Sequence, residues 1–374
     1  MIYLDSAATT LQKPASVSAA VCRAMGQMSS PGRGSHRSAM LAAETVFQCR
    51  DTAARLFGAS KIDYVVFTSS ATHGLNIAIK SIVKPGSSVM ITGYEHNAVT
   101  RPLRAIPNVS IQVAHGPLFC PDLLLEHVQE ILKKGVDAAV CTHVSNVFGY
   151  VLPIKEISQL CRKHGVPLVV DASQSAGCLP VSLEEWGAEF VAAPGHKGLY
   201  GPQGTGLLIC ANEKIKPLLE GGTGSASEMQ TMPEYLPDRL EAGTHNVPGI
   251  AGLLEGLKFV EKQGITNILE HERRLALYAA RKLERIPGVE VFYVPGLKNQ
   301  TGVLSFRMGG IDCETVAERL QQADIAVRAG LHCAPLAHQS AGTMETGTVR
   351  LSVSAFNTLY DMERLAEAMS RKST

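Results

Sequence analysis

No run of about 18 apolar residues occurs, so nothing in the chain reads as a membrane-spanning helix. The opening residues, MIYLDSAATT, hold neither a basic segment nor an apolar stretch, which speaks against a secretory signal peptide. An excess of charge is missing too. A formal net charge of +1 offers no general attraction to nucleic acid or to an anionic membrane. The nine cysteines are an odd number, scattered and never in C-x-x-C spacing. They suggest neither a disulfide framework nor a zinc site, no metal is expected, and a reducing cytoplasm suits them. Internal repeats and low-complexity segments are also lacking. What remains is 374 residues, 45% apolar and 18% charged, enough for two domains with ample core.

Apolar runs alternate with helical patterns through the first two thirds of the chain. Strands are expected at Tyr64–Thr68, Ser88–Thr92, Ser110–Val113, Ala138–Thr142, Pro167–Val170 and Phe190–Ala193, with Gly206–Cys210 as an antiparallel or edge strand. Helices are expected at Ala39–Leu56, His73–Val83, Leu123–Lys134 and Ile154–His164, and a glycine-rich loop at Ser29–Ser38. This rhythm predicts an α/β fold, a mostly parallel sheet with helices on both faces. Gly221–Gly249 reads as a long irregular connection. Beyond it, helices at Gly252–Gln263, Ile265–Arg285, Glu314–Gln322 and Leu359–Ser370 mix with strands at Val289–Tyr293, Gly302–Arg307 and Val349–Ser354. They predict a smaller α+β C-terminal domain. The expected division is an N-terminal segment 1–13, a large domain 14–249 and a small domain 250–374.

Two strand ends carry the chemistry. Phe190–Ala193 turns through Pro194 and Gly195 to present His196 and Lys197, and a lysine held there loses solvent and favours its neutral amine. The run Val166–Val170 ends in Asp171, at the edge where open α/β sheets bind ligands. A lysine that can condense with an aldehyde and a carboxylate that can keep a pyridine nitrogen protonated are what pyridoxal 5'-phosphate needs. Between a strand and a helix, Ser70, Ala71 and Thr72 form a candidate anion site, although simple N-capping would explain one of them.

Five motifs in order, THVSN (142–146), VDASQ (170–174), GHK (195–197), LEAGT (240–244) and RAGLHCA (328–334), resemble those of cysteine desulfurases of the class-V aminotransferase superfamily. The resemblance runs from LDSAATT (4–10) to VRLSVSAFNT (349–358) and is nearest to the Suf-type group. It implies a fold-type I large domain with a seven-stranded-type sheet, and a cytoplasmic homodimer acting on L-cysteine. It implies Lys197 as the Schiff-base lysine, Asp171 as the pyridinium partner, and His96 stacked on the cofactor ring to move protons. Gln174 and Asn146 would bond the ring oxygen or fix its tilt, while Ala71, Thr72 and His196 would hold the phosphate. Thr244 would reach the phosphate of the partner subunit, and Arg350, with Asn146, would bind the substrate carboxylate. Cys333 would accept sulfur as a persulfide, for delivery to an acceptor protein in iron–sulfur cluster assembly.

Plainer readings stand beside these. His96 could simply cap a loop, Arg350 could be a surface cation, and Cys333 an inert core thiol. Against the last, Cys333 lies in a loop-like stretch where Arg328 and His332 are expected to favour its thiolate. Pro194, Ala71, Ala329 and Leu331 depart from the family's usual residues, and Gly198 reads as an insertion between Lys197 and the LYGP loop. A selenocysteine lyase, or another class-V aminotransferase or β-eliminating lyase, remains the alternative.

Overall fold

The computed structural model describes residues 1–31 and 34–370. Two residues of the expected Ser29–Ser38 loop, 32 and 33, lie outside the described residues.

A short strand β1 (Ile2–Tyr3) opens the chain and is followed by helices α1 (Ala15–Gln27) and α2 (Arg37–Phe57). Strands and helices then alternate: β2 (Val65–Thr68), α3 (Ala71–Ile82), β3 (Ser88–Thr92), α4 (Asn97–Arg104), β4 (Ser110–Ala114) and α5 (Pro121–Lys134). The series continues with β5 (Ala138–Thr142), α6 (Ile154–His164), β6 (Leu168–Asp171), α7 (Leu183–Trp186), β7 (Phe190–Pro194) and β8 (Gly206–Cys210). These strands form one seven-stranded sheet in the order β2-β8-β7-β6-β5-β3-β4. The pairs from β7 through β4 are parallel, whereas β8 runs antiparallel to both its neighbours. Gly206–Cys210 is therefore antiparallel, as one of its two expected forms, and sits inside the sheet rather than at its edge.

The strands read as unbroken apolar runs because both faces are covered. Along β7, Val191 and Ala193 enter one core, and Phe190 and Ala192 enter the other. Along β6, Leu168 and Val170 face the first core and Val169 the second.

Helices α8 (Val247–Gln263) and α9 (Ile265–Leu283) lead to a four-stranded antiparallel sheet. Its strands are β9 (Val289–Phe292), β10 (Val303–Met308), β12 (Arg328–Gly330) and β13 (Thr348–Ser352); α10 (Cys313–Gln322) and β11 (Ile325–Ala326) intervene before β12. Helices α11 (Pro335–Ser340) and α12 (Leu359–Ser370) flank β13. The expected boundary at 249/250 falls inside α8. That helix buries Val247, Ile250, Leu253, Leu254 and Leu257 in the core of the large sheet, so it packs with the sheet that precedes it.

The first ten residues strap the two sheets together. Ile2 and Tyr3 pair with Ile325 and Ala326, Asp5 bridges Ser352, and Thr10 donates its backbone N–H to the His196 carbonyl at 3.1 Å.

Candidate active site

The carboxyl ends of β2, β3, β5, β6 and β7 open on one cavity, the edge at which α/β sheets hold ligands. Its wall includes Ala71 and Thr72 after β2, His96 after β3, Asn146 after β5, Asp171 and Gln174 from β6, and Pro194, His196 and Lys197 from β7. About 490 Å³ of this space is not filled by protein atoms.

Strands β6 and β7 are neighbours, with Asp171 paired to Ala192, so the carboxylate and the lysine stand on adjacent strand ends. Burial pushes the Lys197 ammonium down to about 8; nearby Asp171 opposes that shift, and Arg350 and Arg328 add to it. Asp171 is buried, and its Oδ1 accepts the Ser173 N–H at 2.9 Å. Glycine is required where the two loops touch. A Cβ on Gly177, whose φ is +92°, would stand 2.0 Å from the Gly198 carbonyl oxygen, and one on Gly198 would stand 2.4 Å from that of Ala176. Gly198, which reads as an insertion in the sequence, thus lets the Lys197 turn lie against the loop after Asp171.

At the start of α3, Ser70 caps the helix by accepting the His73 N–H at 3.2 Å. One hydroxyl does that work, which leaves the first-turn N–H groups of Ala71 and Thr72, both lining the cavity, without intrahelical partners. Gly206 brings β8 up to this turn, since a Cβ there would lie 2.7 Å from the Ser70 carbonyl carbon.

His96 does cap α4. Its Nδ1 accepts the Ala98 N–H at 3.0 Å, so in the neutral ring the proton sits on Nε2. Burial keeps this ring below the usual histidine range; Asp171 opposes the effect, and Lys197 adds to it. His196 is neutral as well, lowered to about 4 by burial with help from Lys197 and Lys13, and its Nδ1 meets Thr9 Oγ1 at 3.0 Å. The amides of Gln174 and Asn146 are partly engaged elsewhere. Gln174 Nε2 donates to the Ala7 carbonyl at 2.9 Å, and Asn146 Nδ2 to the His332 carbonyl at 2.8 Å.

Three candidates do not line this cavity. Thr244 lies in the next one, across the Ser69–Ser70 turn, with His73 and Thr205. Arg350 is no surface cation: it is 2% exposed, donates from one terminal nitrogen to the Asn146 carbonyl at 3.0 Å and pairs through the other with Asp5 at 2.6 Å. Cys333 is no core thiol. It is exposed, on a loop where it and His332 both adopt positive φ, 56° and 49°. Its carbonyl accepts the Asn97 N–H at 2.8 Å, so the residue after His96 tethers the thiol's loop to the cavity rim.

The expected charge on His332 is not there. Burial, with Arg350 and His338 alongside, lowers its imidazole to about 2, and its Nε2 lies 3.1 Å from the Thr348 carbonyl. A neutral His332 serves to fix the loop through its contact with Thr348.

Sequence reasoning assigned no role to two carboxylates. Glu95, beside His96, is fully buried, and its Oε1 accepts from Thr92 Oγ1 at 2.6 Å and from the Thr142 N–H at 2.9 Å, tying β3 to β5. Burial pushes it up to about 8. Asp5 holds Arg350, and the signal for it was the only charged side chain in MIYLDSAATT.

An amine, a buried carboxylate on the next strand, a neutral imidazole and an open helix N-terminus suit an aldehyde-bearing, phosphorylated aromatic cofactor. The aminotransferase class-V family model matches residues 2–365. The cysteine desulfurase of Escherichia coli is 33% identical over 99% of this chain and 93% of its own length. The probable cysteine desulfurase of Mycolicibacterium paratuberculosis is 31% identical over 99% of this chain, which spans 55% of that relative's length. Among solved structures, the apo cysteine desulfurase of Thermococcus onnurineus superposes with a TM-score of 0.91 at 30% identity, covering 99% of this chain and 94% of that one.

Proposed function

Because the chain belongs to the class-V aminotransferase family, we propose that it is a pyridoxal-phosphate-dependent cysteine desulfurase converting L-cysteine to L-alanine. The observation that carries this is the Lys197–Asp171 pair on adjacent strand ends beside the open N-terminus of α3. When bound, the cofactor supplies an electron sink for the substrate's α-carbon.

The protein's own groups supply the rest. Lys197 holds the cofactor and moves the α-proton, and its lowered pKa makes the neutral amine accessible near neutral pH. Asp171 keeps the pyridine nitrogen protonated. Ala71 and Thr72 at the α3 N-terminus hold the phosphate, with His196 as a neutral hydrogen-bonding partner and Thr244 serving the site of a second copy in a homodimer. His96 lines the cavity and would lie against the bound cofactor, where its Nε2–H could return a proton. Gln174 and Asn146 would bond the cofactor's ring oxygen or fix its tilt, and Arg350 would receive the substrate carboxylate.

Cys333 takes the sulfur. A bond forms between its Sγ and the substrate sulfur as the substrate's Cβ–S bond breaks, leaving an enzyme persulfide, and protonation of the carbon skeleton gives L-alanine. An exposed Cys333 is placed to pass this sulfur to an acceptor protein in iron–sulfur cluster assembly in the cytoplasm. We place the junction of the large and small domains at Gly264, between α8 and α9, since α8 fills the large core.

An amino-acid panel assayed together for sulfide, alanine and keto acid tests this reading. With a thiol present to reduce the persulfide, equal sulfide and alanine from L-cysteine, with no keto acid, is expected. Pyruvate in place of alanine would identify a β-eliminating lyase, and a keto acid without sulfide a transaminase.

A further inference from the structure

Arg350 has both terminal nitrogens occupied, by the Asn146 carbonyl and by Asp5. Its Nε has no partner, is buried and is out of solvent's reach. With the residue only 2% exposed, the open route for an incoming carboxylate is to take the place of one of these occupants. The Asn146 carbonyl is a poor candidate: it is main chain, in a buried residue whose own side chain is tied to His332. Asp5 is different. Its side chain keeps 18% exposure, and its main chain is fixed independently, by the bridge to Ser352 and by the Tyr3 hydroxyl donating to its carbonyl at 3.2 Å. The carboxylate can swing away while the strap stays in place.

Charge favours such an exchange. Arg328 lies directly opposite Arg350 across β12 and β13, and among the described residues it makes no ion pair. Two arginines thus stand side by side across these strands, and Asp5 is the carboxylate that Arg350 holds. An arginine this deep is costly to leave without an anion, so a side chain that fills the place until substrate arrives stabilises the empty enzyme.

We propose that Asp5 is a stand-in for the substrate carboxylate, which must displace it from Arg350, so that Asp5 sets affinity and selectivity for carboxylate-bearing amines. The proposal rests on the reading of Arg350 as the carboxylate site. An amine without a carboxylate leaves the Asp5–Arg350 pair intact and draws nothing from the arginine, whereas an amino acid exchanges one carboxylate for another. The exchange lowers affinity for every amino acid and makes the arginine's full attraction available only to a ligand that takes Asp5's place.

Calorimetric titration of the holoenzyme with L-alanine, and with ethylamine as the carboxylate-free control, tests this without recourse to turnover. Asp5→Asn removes the competitor and should tighten L-alanine by about tenfold while leaving ethylamine unchanged. Asp5→Glu, which restores a carboxylate, should return L-alanine binding towards wild type; Asp5→Ser serves if the Asn variant does not fold. Unchanged or weaker L-alanine binding in Asp5→Asn or Asp5→Ser would overturn the proposal and leave Asp5 as a strut for Arg350. Arg350→Gln should lose L-alanine binding. If it binds L-alanine like wild type, the carboxylate site lies elsewhere, and the underlying reading of Arg350 fails with the proposal.

Discussion

The Lys197 and Cys333 sides of the site are held in different ways. Lys197, Asp171 and His96 stand at the ends of buried parallel strands, each fixed by its sheet and by paired glycines or caps. Cys333 stands exposed in a turn of two left-handed residues whose other member, His332, is buried. It is tied down at its carbonyl by Asn97 and, one residue earlier, by Asn146. The first arrangement suits a cofactor that must keep one orientation through proton transfers. The second suits a thiol that receives an atom inside and hands it on outside.

That contrast is broken most severely at its rigid side. Lys197→Ala should lower alanine formation from L-cysteine by on the order of 10³-fold, because the group that moves the α-proton is gone. A rate within tenfold of wild type would mean that another base serves. Borohydride reduction and peptide mapping should place the cofactor on Lys197.

The loop side should separate activity from stability. Cys333→Ala should fall below about 1% of wild-type sulfide release from L-cysteine, as removal of a nucleophile does. Its unfolding free energy should stay within about 0.5 kcal/mol of wild type, because the residue is exposed. A large loss of stability would show that the thiol is structural.

How much of this was legible in sequence follows the same division. Strand ends were readable because a parallel strand buried on both faces leaves an apolar run, and a polar residue closing such a run marks the sheet's edge. Asp171 and Lys197 were found that way, and the runs at 88–92 and 138–142 coincide with β3 and β5. The short α4 left no periodic signal, with Pro102 inside its eight residues. Strand β12 and helix α11, which bracket Cys333, are three and six residues long and too brief for any pattern to emerge. The Asp5–Arg350 pair joins positions 345 apart, and no local window holds that information. The charge expected on His332 failed for a related reason, since burial beneath the small sheet cannot be read from its neighbours in the chain.

The smallest effect is expected at the seam between the two sides. Glu272, on α9, is buried, borders a second cavity behind Lys197 and is pushed up to about 8 by burial. Its folded pKa lies above its unfolded one, so the native state holds this proton more tightly and wild-type stability falls as pH rises from about 4.5 to about 8. Glu272→Gln should remove that slope and be more stable than wild type at pH 9, with little difference at pH 5. Urea unfolding at the two pH values checks this, and equal midpoints at pH 9 would mean that water reaches the carboxylate.

The most direct test of the account follows the sulfur atom itself. One equivalent of L-cysteine, turned over without reductant and followed by peptide mass spectrometry, should add a single sulfur to the peptide carrying Cys333 as one L-alanine forms. Stoichiometric L-alanine with the Cys333 peptide unmodified, or with the sulfur on another cysteine, would contradict it.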